Sequence, residues 1–216
     1  MTANRWVRAA LIGVLAVLLC TVGMLLRPLV IPENTSAPRV LNPTEIGFTQ
    51  DMLAHHQQAL MMVQRLDTGA DPSIRQLAQQ ISDTQRIEIG TLLGWLRLAN
   101  AAPTNSHPMA WLPAKDTPAG HDHSTMTGSA ATTMPGMATM QELDALSAAK
   151  GTDAETLFLQ LMLRHHRGGV GMAQAADKLV ESGPVKESAR AMITEQSQEA
   201  GIMTLLLAQR GVQPLS

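Results

Sequence analysis

The chain has almost no aromatic side chains: no tyrosine, two phenylalanines and three tryptophans in 216 residues. A core built on rings is therefore excluded, and the apolar filling falls to aliphatic residues and to fourteen methionines. Methionine is flexible and polarisable, so it can fill an irregular core or offer soft sulfur ligands. Cysteine occurs once, at Cys20, inside an apolar run. That excludes a disulfide framework, a thiolate zinc site, covalent haem attachment and thiol catalysis. The net charge is -2 and the basic residues do not cluster, so no nucleic-acid partner is implied. No segment alternates as a strand does, no Gly-rich phosphate loop occurs, and no Glu-x-x-His tetrad of a di-iron site is found. No serine nucleophile stands in a recognisable setting, and the chain is read as a non-enzyme.

What is present is a histidine pair that occurs twice in one frame. Phe48-Thr49-Gln50-Asp51-Met52-Leu53-Ala54-His55-His56, running on to Met62, matches Phe158-Leu159-Gln160-Leu161-Met162-Leu163-Arg164-His165-His166, running on to Met172, at an offset of 110 positions. Both phenylalanines and four of the seven histidines lie in these two frames, which marks an internal duplication. The partner segments carry it too, with Gln85-x-x-Glu88 and Gln196-x-x-Glu199.

From the N-terminus, residues 1–8 carry Arg5 and Arg8 and are assigned to the cytoplasm. An uncharged run from Ala9 to Leu26, closed by Arg27 and Pro28, reads as a transmembrane signal anchor over 9–27. The protein would be secreted if that segment were cleaved. With the arginines on the cytoplasmic side the domain is expected on the extracytoplasmic side, and residues 28–42 read as an extended, proline-containing stalk that lifts it off the bilayer. Asn42-Pro43-Thr44-Glu45 is a helix start, and the helix should reach about Asp67. Asp71-Pro72 opens a second helix closing near Asn100. A third should run from Thr152-Asp153 to Gly183 and a fourth from Pro184 to Arg210, with a short helix over 141–149. The fold expected is all-α: two duplicated hairpins packed as a four-helix bundle over 43–213. Between the hairpins, residues 101–139 lose periodicity and read as a flexible linker holding His107, Met109, His121, His123, Met126, Met134 and Met137.

At 100° per residue Phe48, Met52, His55, Ala59 and Met62 share one stripe, with His56 to its side, and the second copy repeats this with Met162, His165, Gly169 and Met172 beside His166. Imidazole is the commonest metal ligand, and thioether selects soft ions such as Cu(I); a His/Met set without thiolate can hold copper as Cu(I) or Cu(II). The candidate ligands are Asp51, Met52, His55, His56 and Met62 from the first copy and Met162, His165, His166 and Met172 from the second. Asp51 could also orient His55 at i+4, and Glu88 and Glu199 suit hydrogen bonds to facing histidines better than metal. Copper binding by histidine should weaken below about pH 6, where imidazole protonates. Two other readings stand beside this one: a structural or interaction bundle whose histidines form a core network, and a copper-dependent oxidoreductase. A homo-oligomer or a copper-handling protein partner is also compatible.

His55-His56-Gln57-Gln58-Ala59 with Met62, and Met134-Pro135-Gly136-Met137 leading through Glu142-Leu143 to Phe158, Met162, His165-His166, Gly168 and Met172-Ala173, resemble the bacterial domain-of-unknown-function 305 family over about Pro43 to Gly211. The resemblance implies a ferritin-like four-helix bundle, usually exported, with copper association in some members. The chain departs from the family pattern at Leu161, where an acid like Asp51 is common, and at Gly169, where alanine is usual. The first copy is thus expected to be the fuller ligand set.

Overall fold

The computed structural model describes residues 3–30, 40–113 and 134–215, and among these every regular element is a helix. The chain divides into two compact units, residues 1–39 and 40–216, described separately. The first holds α1, Ala3–Val30. Its segment Trp6–Leu26 is 21 residues long and apolar enough to cross a membrane. The helix continues through Pro28, so the first residues assigned to a stalk are helical; residues 31–39 lie outside the described residues.

The second unit holds α2 (Pro43–Arg65), α3 (Pro72–Leu98), α4 (Met140–Ala148), α5 (Gly151–Leu179) and α6 (Pro184–Gln209). Its starts are chemical. Asn42 Oδ1 accepts from Glu45 N while Glu45 Oε2 accepts from Asn42 N, closing a capping box behind Pro43. Asp71 caps α3, and Thr139 with Glu142 forms a second capping box on α4. No side chain of Lys150 caps α5. Instead Asp67, just past the end of α2, accepts from Gly151 N at 3.0 Å and from Lys150 Nζ at 3.2 Å. A carboxylate from the neighbouring hairpin thus meets the exposed N–H groups and the positive end of that helix. α5 begins one residue earlier than its sequence start signal and ends at Leu179, short of Gly183, because Val180 turns to extended backbone.

The helices pair as two hairpins, α2 with α3 and α5 with α6, and α2 packs on α5 to join them into a four-helix bundle. α4 lies against α2 and α5. The apolar core is split into two clusters. One gathers Met62, Ile74, Ile81, Phe158, Met162 and Met203; the other gathers Phe48, Met52, Leu92, Leu96, Met172 and Met192. On each of the four long helices buried polar residues fall between the stretches that feed these clusters: His55 and His56, Gln85, His165 and His166, and Gln196. A polar layer therefore crosses the bundle between its two apolar clusters. α2 runs from the second cluster toward the first and α5 the reverse way, so Met52 shares a cluster with Met172, and Met62 with Met162.

The stretch expected to be a flexible linker is built into the domain at both ends. Met109, Leu112 and Ala138 are buried, and Leu41 ahead of α2 is buried with the second cluster. Residues 114–133, and with them His121, His123 and Met126, lie outside the described residues.

Candidate metal centre

The four paired histidines are wholly buried, each at 0% exposure. His56 and His166, placed by the helical wheel to one side of the buried stripe, are as enclosed as His55 and His165. α3 and α6 cover that side of the stripe, a packing partner that periodicity within one helix does not reveal. The rings of His55 and His165, 110 positions apart, stack with centroids 3.7 Å apart and planes tilted by 31°. The His165 and His166 centroids are 6.2 Å apart. The duplication thus brings its two copies face to face.

Each imidazole meets an acceptor through the same nitrogen. His55 Nε2 lies 3.0 Å from Pro135 O, and His165 Nε2 lies 3.0 Å from His55 O. His166 Nε2 lies 2.6 Å from Glu199 Oε2, and His56 Nε2 lies 2.7 Å from Glu88 Oε2, the latter close but off the line of a well-directed hydrogen bond. A carbonyl oxygen only accepts, so Nε2 carries the proton in His55 and His165; a carboxylate oxygen as acceptor asks the same of His56 and His166. The Nδ1 lone pair is then bare in all four rings. None of the four Nδ1 atoms has a hydrogen-bond partner, although all are buried. Glu88 and Glu199 hold the histidines that the repeated Gln-x-x-Glu pattern suggested.

Burial keeps the two stacked rings neutral. Burial drives the His55 pKa down to about 3, and the neighbouring His56 and His166 add to this, while the Pro135 carbonyl opposes it. Burial likewise holds His165 well below the ordinary range, with His55, His166 and His56 reinforcing it. Both rings are uncharged at neutral pH, the form in which imidazole can ligate.

The other candidates are placed differently. Asp51 does not orient His55. Its Oδ2 accepts from Met109 N at 2.6 Å and Trp111 Nε1 at 2.9 Å, and its Oδ1 accepts from Asn105 Nδ2 at 2.9 Å. Burial raises the Asp51 pKa and these three donors hold it back. Its role in the structure is to fasten residues 105–111 to α2. Leu161, its counterpart in the second copy, is buried and apolar. Met52 and Met172 join one apolar cluster, Met62 and Met162 the other, so the four thioethers flank the histidine layer in two separate groups.

Sequence reading missed the contribution of the linker ends. Gln58 grips Ala138 through two bonds, Nε2 to Ala138 O at 2.9 Å and Ala138 N to Oε1 at 2.6 Å. Arg164 binds Glu142 through both of its terminal nitrogens, at 2.8 and 2.7 Å, and holds the Glu142 pKa down at about 2. Together these seat the Pro135-Gly136 turn against α5. Gly136 has φ +79°, and a Cβ there would lie 2.5 Å from Arg164 O; a Cβ on Gly168 would collide with the Pro135 carbonyl. Both glycines are required by this close approach. The family pattern around Met134 to Met137 was the available signal for it. Gln85 and Gln196, noted in the sequence as part of the repeated pattern but given no role, have both amides buried, and neither end of either has a partner.

The model of the DUF305 family, described as a domain of unknown function, matches residues 45–207. Among solved structures, a DUF305 protein from Streptomyces coelicolor is 35% identical, with a TM-score of 0.68 over 80% of this chain and 96% of that one. A DUF305 fragment from Deinococcus radiodurans is 27% identical, with a TM-score of 0.60 over 78% and 97%. CopM in its Cu(II)-bound form is 23% identical, with a TM-score of 0.56 over 76% and 96%, a likeness that carries the fold alone. No functionally curated protein matches the chain.

Proposed function

This chain belongs to the DUF305 family, and on that premise we propose that it is an exported, membrane-anchored bundle that binds copper through His55, His56, His165 and His166, for sequestration or handover of the ion. The observation that carries this reading is the set of four buried Nδ1 atoms without partners. A ligating histidine characteristically donates its other ring N–H to a carbonyl or carboxylate, which fixes the tautomer and leaves one lone pair for the ion. Three rings have that arrangement, His55 and His165 on carbonyls and His166 on a carboxylate, and His56 Nε2 lies 2.7 Å from a second carboxylate without a well-directed bond. Leaving four such atoms unsatisfied in a core costs about 1–3 kcal/mol each, a burden that a bound ion relieves. Neutral imidazole suits copper in either oxidation state, and CopM is a protein of this fold described in Cu(I)-bound and Cu(II)-bound forms. The helix Trp6–Leu26 supports a membrane anchor, and the Streptomyces coelicolor relative is named as a secreted protein.

A second reading has an observation of its own. Among the described residues no three His, Cys, Asp or Glu side chains converge to hold an ion, which favours a purely structural polar layer. The two readings separate on one experiment: competitive Cu(I) and Cu(II) titration of the parent protein and of the variant with all four paired histidines changed to alanine. The copper reading expects tight binding in the parent and none in a still-helical variant. Absence of binding in the parent, or undiminished binding in the variant, would refute it.

A further inference from the structure

We propose that Gln196, with Gln85 in a lesser role, supplies the oxygen side of the histidine layer and makes this chain prefer Cu(II) over Cu(I). The inference rests on the copper reading above and extends it to the oxidation state of the ion. Both amides are almost fully enclosed, at 1% and 2% exposure, and both oxygens and both nitrogens lack partners. An amide buried in this state is costly, and here it occurs at both duplicated positions. Each lies one turn before the glutamate that holds a histidine, Gln85 before Glu88 and Gln196 before Glu199, so amide and carboxylate share a helix face.

Gly169 decides how near Gln196 comes. A Cβ at position 169 would overlap the Gln196 Oε1 atom and lie 3.2 Å from His55 Cε1, so the amide oxygen and the His55 ring border the same space. The first copy has Ala59 at the equivalent position, with a methyl group where Gly169 has none. The centre therefore offers imidazole nitrogen and amide oxygen, while the thioethers of Met52, Met62, Met162 and Met172 pack into the apolar clusters on either side. Nitrogen and oxygen donors suit Cu(II), whereas thioethers are what favour Cu(I). The asymmetry at 169 makes Gln196 the dominant amide.

The test uses the full chain in detergent micelles, titrated with Cu(II) in air and with Cu(I) anaerobically, each against a competing chelator. Gln196→Leu removes the amide at similar volume. Gly169→Ala keeps the amide and displaces it, and adds a better helix former. We expect each to weaken Cu(II) by about tenfold, the scale on which groups supporting a metal act, while Cu(I) affinity stays within about twofold. Gln85→Leu should have the smaller effect. The Cu(II) electron paramagnetic resonance spectrum should shift in Gln196→Leu and Gly169→Ala, and metal-free Gln196→Leu should melt no lower than the parent, because an unsatisfied amide has gone. Equal losses for the two ions, or unchanged affinity in both variants, would overturn the assignment while leaving copper binding intact. A parent that binds neither ion would overturn both.

Discussion

His55 and His165 show how far burial moves a single side chain. Both have pKa values depressed in the folded protein, His55 to about 3, whereas in the unfolded chain they return to about 6.5. Above pH 6.5 both states are neutral and the shift is without effect. Below it the unfolded chain takes up protons that the fold refuses, so stability falls as pH drops from 6.5 toward 3. At pH 5 the His55 ring should lower stability by about 2 kcal/mol, and His165 acts in the same direction. Urea unfolding at pH 7 and pH 5 checks this, and His55→Gln should flatten the difference. A further consequence concerns the metal. An ordinary imidazole site fades below pH 6, but folded His55 keeps its lone pair free far into acid, so copper loss should track unfolding when circular dichroism and binding are followed together. Gly168 is the other decisive residue. Gly168→Ala, though favourable to an isolated helix, drives a methyl into the Pro135 carbonyl and should cost about 2 kcal/mol or more, read as a lower melting temperature.

Among the elements, the helices were the legible part, and the segments between them were not. Capping residues and 3.6-residue periodicity are local, so α2, α3, α5 and α6 could be placed to within a few residues, and the repeated frame brought both histidine pairs to notice. The fastening of the linker ends joins groups far apart in sequence: Asp51 to Met109 and Trp111, Gln58 to Ala138, His55 to Pro135. Such bonds have no period and leave no local trace. The partition of the methionines was also hidden, because it follows from the antiparallel crossing of α2 and α5 and not from either helix. Asp51 is the sharpest case. The i+4 spacing to His55 suggested one role, and tertiary structure gives it another. Asp51→Ala removes the acceptor for three donors and should destabilise the domain by about 3 kcal/mol. Trp111 fluorescence should shift to the red as residues 105–111 loosen, while the His55–His165 stack, held by other bonds, should survive.

At the scale of the whole molecule, two compact units imply two separable properties. The segment Trp6–Leu26, long and apolar enough to cross a membrane, belongs wholly to the first unit. The bundle has its own caps, two apolar clusters and the complete histidine layer within residues 40–216. Removing residues 1–39 should therefore leave the melting temperature of the bundle unchanged within a few degrees, while transferring the protein from the membrane pellet to the soluble fraction. Copper should act on the bundle alone. A ligand that binds only the folded state adds stability in proportion to the logarithm of its concentration over Kd, about 2.7 kcal/mol at a hundredfold excess. The truncated protein should accordingly melt higher with copper, by the same increment as the full chain in detergent, and the four-histidine variant should show no increment in either form. If copper raised the melting temperature of the full chain only, residues 1–39 would have to contribute to the centre, and the division of labour between the units would be wrong.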